Sequence, residues 1–355
     1  MTGQNPRRRR PRGNQPAVVT IRDIAQRAGV SPSTVSRVLS GTTPVAPGKC
    51  AAVMAAVKAL GFRPNVLAQE LARGRSRAIG VLPQGISSPF YGQLIRGIEQ
   101  GLRGTDYYPL FASGELPAEA ALALDLLLAH RVDGLIVVGG HIADGDLVDL
   151  AARIPVLAIG RTIQGLEHRC LQVENRDGAR QATRHLIDLG HTRIVHITGF
   201  AWHRDAMDRR AGYEQALREA GIGLDPALVL EGNFEEQSGL IVTEALLTAG
   251  TPFTAIFAGN DQMAYGAGLA LYRRGIRVPR EVSIVGFDDQ PSAAYAWPPL
   301  TTVRQPALEM GQAAAHALLS QLRGEGFELR AFSTELVVRE STAPPIIPRS
   351  PAGGS

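Results

Sequence analysis

The sequence predicts an α/β protein in which a small all-helical head precedes a two-lobed core of parallel sheets. Three observations lead there. Between Thr20 and Leu60 there are three short amphipathic stretches with helix caps and no strand-like run. From Arg77 onward, short apolar runs alternate with helix-length amphipathic stretches. The charge divides near the same point. Through Gly80 there are 14 Lys/Arg and two acids, Asp23 and Glu70, whereas the remainder carries 23 bases and 31 acids. A basic head on an acidic body suggests that one end meets a polyanion. Arg7–Arg10 with Arg12 read by themselves as a solvated tail, but without these five the head is still net +7.

Composition narrows the function classes. The chain has 355 residues, 45% hydrophobic and 20% charged, which excludes a disordered chain, a collagen-like repeat and a disulfide-stapled miniprotein. Cys50 and Cys170 are far apart and form no CxxC or Cys/His ligand spacing, so neither a disulfide framework nor a structural metal site is expected, and a reducing cytoplasm fits. No apolar run approaches the roughly 18–20 residues of a membrane span. Met1 to Gln15 has no hydrophobic segment after its arginines and is not read as a secretory signal.

The elements follow in order. Residues 1–19 read as a disordered basic arm. Thr20 caps a first helix through Ala28, and Gly29 ends it in the left-handed conformation. Ser31 caps a second helix with Pro32 in its first turn, where a missing N–H costs nothing. Val35, Val38 and Leu39 form the inner face of that helix, and Gly41 closes it. A third helix over about Gly48–Leu60 presents Val53, Met54, Val57 and Leu60 as its apolar stripe. Two short helices joined through Ala-Gly-Val-Ser and backed by a third make a helix-turn-helix over 20–63.

TIRDIAQRAGVSPSTVSRVLSG (20–41) is similar to the DNA-binding head of the LacI/GalR family of bacterial transcription regulators. D-I-A, A-G-V-S and T-V-S-R-V-L stand together at fixed offsets. The third helix departs from the family's usual acid-Thr-basic opening; here it reads APGKCAA, with Lys49–Cys50 in place of the Thr–basic pair.

RPNVLAQELARGRS (63–76) allows Asn65 to cap a short helix over Val66–Arg73, with Gly74 as terminator. So short an isolated helix is too brief to be stable in water and reads as a flexible linker. The resemblance implies a hinge over 64–76 that orders on operator DNA, with Leu71 as the apolar wedge entering the minor groove.

Strand-like runs then occur at 78–82, 107–112, 133–139, 155–160, 193–199, 254–259 and 282–287, with helical stretches such as Ala118–His130, Asp177–Leu189 and Asn260–Arg273 between them. Continuous apolar strands alternating with helices imply parallel sheets covered on both faces. The count suits two such units side by side, with ligand in the cleft at the strand carboxyl ends. The resemblance covers this core, 77–341, and implies an architecture like periplasmic binding proteins, with 342–355 as a disordered tail.

Candidate residues fall into two groups. In the head, the second helix is the reader, and its N-terminal residues Pro32, Ser33 and Arg37 are the candidates for base edges. Pro32 offers only apolar contact and Ser33 discriminates weakly. Arg37 suits either a bidentate contact to guanine or a phosphate. Thr20, Ser31, Thr34 and Ser36 read as caps or phosphate contacts.

In the core, the resemblance assigns an effector site to Phe90 and Tyr91 in SSPFYGQL, Asp177 in NRDGA, Arg209 in DRRAGY, Phe234 in EGNFEEQSG, Asn260 in AGNDQMAYGA and Asp288 in GFDDQPSAAY. Asp, Asn and Arg can take paired hydroxyls in bidentate fashion while an aromatic ring covers a sugar's C–H face. Asn260 and Asp288 also fit helix caps, and Arg209 also fits an ion pair with Asp205 or Asp208. Ala307, where the lac-type pattern carries a bulky residue, argues against a lac-like inducer. WHRDA (202–206) has no assigned role.

No GxxxxGK[ST], HExxH or GxSxG is present, the eight histidines are scattered, and GIG at 221–223 reads as a helix terminator. The expectation is a non-enzymatic, cytoplasmic, nucleoid-associated repressor without cofactor or metal. It would bind a pseudo-palindromic double-stranded operator as a homodimer and be released by a mono- or disaccharide. The alternatives are a purine- or nucleoside-responsive regulator using a corepressor, a sugar-binding protein without DNA function and, disfavoured by the missing glycine fingerprint, a Rossmann-type oxidoreductase.

Overall fold

The computed structural model describes residues 19–40, 43–62 and 75–346. The chain divides into two compact units between Ser76 and Arg77.

The first unit contains α1 (Ile21–Ala28), α2 (Pro32–Ser40) and α3 (Pro47–Leu60). Thr20 and Asp23 form a reciprocal capping box at the start of α1. The Thr20 N–H and hydroxyl donate to Asp23 Oδ2, and Thr20 Oγ1 accepts from the Asp23 N–H. Gly29 ends α1 at φ 66°, a conformation that only glycine adopts cheaply. Ile24, Ala25, Val35, Val53 and Ala56 form the core of this unit. The expected stripe on α3 is corrected at Met54, which is exposed, while Ala56 faces inward. Met54 adjoins Val53 and is rotated ~100° from it around the helix, away from the line through Val53 and Val57.

The second unit is built as two lobes. Lobe 1 holds β1 (Ala78–Pro83), α4 (Pro89–Leu102), β2 (Tyr108–Phe111), α5 (Pro117–Ala129), β3 (Gly134–Val138), α6 (Asp144–Ala151), β4 (Val156–Ile159) and β5 (Cys170–Leu171). Its sheet is parallel throughout, in the order β2-β1-β3-β4-β5. Lobe 2 holds α7 (Asn175–Asp188), β6 (Ile194–Thr198), α8 (Arg204–Glu219), β7 (Val229–Glu231), α9 (Glu236–Ala249), β8 (Ala255–Ala258), α10 (Asp261–Arg273), β9 (Ser283–Asp288), β10 (Thr301–Arg304) and β11 (Glu335–Val337). Its order is β11-β10-β9-β8-β6-β7, parallel except where β11 pairs with β10. A final helix, α11 (Ala307–Leu322), returns to pack in the core of lobe 1. Among the described residues the chain therefore passes between lobes three times, near residues 172–174, 305–306 and 332–334. Two of these passages are tied by hydrogen bonds between Phe332 and the Gln172 carbonyl and the Glu174 N–H.

The fully buried strands β1, β3, β4, β6, β8 and β9 are the apolar runs of the sequence. The edge elements β5, β7 and β11 are two or three residues long and leave no periodic signal. The expected disordered tail is corrected over its first residues. The Ala343 carbonyl accepts from Ser283 and lies 2.9 Å from His191 Nε2, and the Ala343 N–H donates to Ser283 Oγ. A proline- and glycine-rich composition hides this, because the backbone makes the contacts.

Helices pair through glycine. On α4, a Cβ at Gly97 would stand 2.1 Å from the Leu308 carbonyl oxygen of α11, and one at Gly311 would stand equally close to the Leu94 carbonyl. Nothing lies within 4 Å of the corresponding position at Gly92 on the same helix. Gly92→Ala is therefore expected to raise the urea midpoint of the core, by up to about 1 kcal/mol in stability. Gly97→Ala is expected to lower it by about 1–3 kcal/mol. Equal shifts for the two would show that the backbone approach does not limit the packing.

Candidate functional sites

In the first unit, α2 buries Val35 and leaves Pro32, Ser33, Ser36 and Arg37 exposed. The Ser31 hydroxyl accepts from the Thr34 N–H at 3.2 Å and lies within hydrogen-bond distance of the Ser33 and Thr34 hydroxyls. Ser31 and Thr20 thus serve as caps first. Arg37 makes no ion pair among the described residues, so its five donors remain available. Between Val19 and Phe62 there are five Lys/Arg and one acid. Asn65 and Leu71 lie outside the described residues.

In the second unit, a cavity of about 440 Å³ opens between the lobes. Its lining begins where strands end: Gln84 after β1, Gly139 after β3, Gly160 after β4, Phe200 after β6, Asn233 after β7 and Asn260 after β8. This is where parallel sheets expose loops and helix N-termini to a ligand.

Arg209 is the polar centre. It projects from α8 and is 4% exposed. Its Nε donates to Asn175 Oδ1 at 2.8 Å and its Nη1 donates to the Gly259 carbonyl. The guanidinium lies 3.8 Å from the ring centroid of Phe287 and 3.7 Å from Asp288 Oδ1. Asn175 in turn donates to Asp205 Oδ1 at 2.9 Å. Asp288 accepts from Gln305 at 2.6 Å. Burial pushes the Asp288 carboxyl up to about 6, against the opposing pull of Arg209. Asp261 lies beneath and is raised well above the usual carboxylate range by burial and by Asp288, while Thr302 and the Gln290 N–H bond to its oxygens.

Phe234 and Asp288 both hold positive φ, at 70° and 113°. Non-glycine residues there are costly and are kept only where surroundings hold them. Phe234 is held by Asn260, whose Nδ2 donates to the Phe234 carbonyl at 2.8 Å while its Oδ1 caps α10 through the Met263 N–H. The Phe234 ring occupies the space a side chain at Gly199 would need.

The cavity brings together Phe90, Tyr91, Arg209, Phe234, Asn260 and Asp288. It does not include Asp177, which is corrected here. Both Asp177 oxygens are taken on the surface of α7 by Arg180 at 2.8 Å and Gln181 at 2.6 Å, and the Arg180 bond holds its carboxyl below the ordinary range. The helix begins at Asn175, and two positions turn a side chain by ~200°, so Asn175 faces the site and Asp177 faces away. Asp288 is not a helix cap; the short helix beyond it starts at Pro291, after Gln290.

Reading the sequence left Asn175, Asp205, Trp202, His203, His141 and Gln305 unassigned. Position was the available signal: WHRDA follows β6 directly and opens α8, and His141 follows the Gly-Gly after β3. Trp202 is half exposed and meets His141 across the cleft with ring centroids 4.6 Å apart, while Phe200 lies behind it at 5.3 Å.

Residues 20–65 match the family described as bacterial regulatory proteins, lacI family, and residues 183–342 match the periplasmic binding protein-like domain. Among curated relatives, the HTH-type transcriptional regulator GalR of Salmonella typhimurium is 38% identical over 333 residues, covering 92% of this chain and 97% of that protein. GalR of Escherichia coli is 36% identical, covering 94% and 98%. The chain belongs to the LacI family. Among solved structures, the lac repressor dimer bound to operator and the anti-inducer ONPF aligns with TM-score 0.80 at 31% identity, covering 92% of this chain and 99% of that one. The transcriptional regulator CelR in complex with cellobiose aligns with TM-score 0.69 at 33% identity, covering 91% and 99%. This LacI-family protein is accordingly a DNA-binding transcriptional regulator with a two-lobed effector core. No helix among its described residues is long and apolar enough to cross a membrane.

Truncating this buried guanidinium leaves Asp288 without its counter-charge. Arg209→Ala is expected to destabilise the core by about 3–5 kcal/mol in urea unfolding, and Arg209→Lys is expected to lose less. An unchanged midpoint for the alanine variant would remove Arg209 from the centre of the site.

Proposed function

We propose that this protein is a repressor whose affinity for a pseudo-palindromic operator is lowered by a mono- or disaccharide bound between the lobes. It acts in the cytoplasm, on the nucleoid, as a homodimer and without catalysis. The head spans 20–63, a hinge follows over 64–76, and the effector core begins at Arg77. The observation that carries the reading is the cleft itself. Arg209, Asp288 and Asp205, positioned by Asn175 behind them, provide directed donors and acceptors for hydroxyls, and Phe90, Phe234 and Trp202 offer ring surfaces for C–H faces.

The relatives support the same class, since one solved neighbour carries cellobiose and another carries ribose. Regulation follows as a population shift. The effector favours one arrangement of the lobes, and the two hinges of a dimer pair in the minor groove only in the other. Reversing occupancy from 99:1 to 1:99 requires about 5.5 kcal/mol of discrimination between the states. In the head, Arg37 reads a base or holds a phosphate, Pro32 and Ser33 lie beside it, and Leu71 is the wedge.

Fluorescence anisotropy on DNA from the protein's own promoter, at fixed salt, tests this with a panel of mono- and disaccharides. One sugar should release the DNA. DNA binding that no sugar affects would refute the effector class and bring nucleosides forward. Arg209→Lys should keep operator affinity within about twofold while losing release by sugar; loss of both together would sink its role as an effector residue. Leu71→Ala should weaken operator binding about tenfold, ~1.4 kcal/mol, and leave nonspecific DNA binding unchanged. Equal losses on both DNAs would rule out the wedge.

A further inference from the structure

The ionisable groups that line the cleft are unbalanced. Glu115 comes from lobe 1, and Asp205, Glu235 and Asp288 come from lobe 2. Against these four carboxylates stands one guanidinium, Arg209. That cation is already bonded through Nε and Nη1 to Asn175 and the Gly259 carbonyl and is compensated by Asp288, so a bound anion would meet little net positive charge, whereas a neutral hydroxyl can still take its remaining N–H groups.

Glu115, Asp205 and Glu235 form no ion pair among the described residues. Asp205 accepts from Asn175, and Glu235 Oε2 accepts from Asn233 at 3.1 Å. Two further arginines stand next to lining residues in sequence but do not line the cleft, and each is paired with a carboxylate. Arg161 is held by Asp144 and the Gly140 carbonyl, and Arg204 pairs with Asp208. Burial lowers the affinity of His203 for a proton, so it adds no charge at neutral pH.

Helix N-termini also converge here and favour anions, but each carries only about half an elementary charge. Asp205 stands in the first turn of α8, and Asn260 occupies the cap of α10. Among the described helices that open on the cleft, α4 alone has neither a side-chain cap nor an acid in its first turn, so Ser88-Pro89 is where an anion would be met. A cleft between low-dielectric walls focuses the field of its net charge.

We propose that the cleft is a charge filter: it admits uncharged and amino-bearing saccharides and rejects phosphorylated and carboxylated ones. This rests on the reading of the cleft as the effector site, and it makes the effector a sugar sensed before any phosphorylation. Rejection is by like-charge repulsion, a negative element of specificity beside the positive hydroxyl contacts.

The chain has two tryptophans, so Trp297→Phe leaves Trp202, at the cleft, as the sole indole. In the full-length Trp297→Phe protein at constant ionic strength, quenching by caesium and by iodide reports the sign of the local field without any sugar. After normalisation to free N-acetyltryptophanamide, caesium should quench Trp202 at least twofold more strongly than iodide. The preference should fall toward parity when Glu115→Gln and Glu235→Gln are added. Iodide quenching Trp202 as well as caesium would overturn the filter.

Calorimetry then compares glucose, galactose and glucosamine with glucose 6-phosphate and galactose 6-phosphate. Any phosphorylated member should bind at least tenfold more weakly than its parent sugar. A phosphate ester binding as tightly as its parent, as an anion seated at Ser88 would, also overturns the filter. If no sugar binds but the caesium preference holds, the filter stands and the saccharide assignment fails.

Discussion

The burial of one guanidinium organises the effector core. Arg209 cannot shed its charge, so a site that buries it must supply bonds to its donors, a surface for its face and a counter-charge. Asn175 comes from the start of α7, the Gly259 carbonyl from the end of β8, and Phe287 and Asp288 from the end of β9. Four separate segments are thereby drawn to one point, all in lobe 2. Lobe 1 answers mainly with Phe90, Tyr91 and Glu115. The polar centre belongs to lobe 2 alone, which suits the proposed shift between two lobe arrangements with the site left intact.

Close helix contacts give that centre a rigid base. Gly212 of α8 approaches the Arg176 carbonyl of α7, so the helices that carry Arg209 and Asn175 are fixed against one another by backbone. Gly239 and Gly266 do the same for α9 and α10, which flank Phe234 and Asn260. The cost is taken locally, in the positive φ of Phe234 and Asp288. Both lie in the site, where stored strain is usual because surrounding bonds over-determine the backbone.

The head obeys a different logic. Its apolar centre is small, and caps set both ends of α1, the start of α2 and the end of α3. Thr20 and Ser31 spend their hydroxyls on those caps, which leaves the exposed face of α2 to Pro32, Ser33, Ser36 and Arg37. Of these only arginine has the fork of donors needed to distinguish a base edge strongly.

Much of this was legible in the chain because it is local. Caps, left-handed glycines, apolar strand runs and the basic head depend on neighbours in sequence, so they placed α1, α2 and the buried strands without coordinates. Arg209, Asp288, Phe234 and Asn260, which the family resemblance assigned to the site, all line the cleft; the last three stand at strand or helix ends, while Arg209 lies within α8. The rest depended on rotation and distance. Asp177 and Asn175 differ by two positions, and only the start of α7 decides which one turns toward Arg209. Trp202 and His141 are 61 residues apart and meet only because two lobes close on each other. Ala343 lies in a stretch with no pattern at all, yet its peptide group completes the bonding of Ser283. Sequence determines what depends on period and capping; tertiary structure alone decides which faces turn inward and which distant groups share one low-dielectric space.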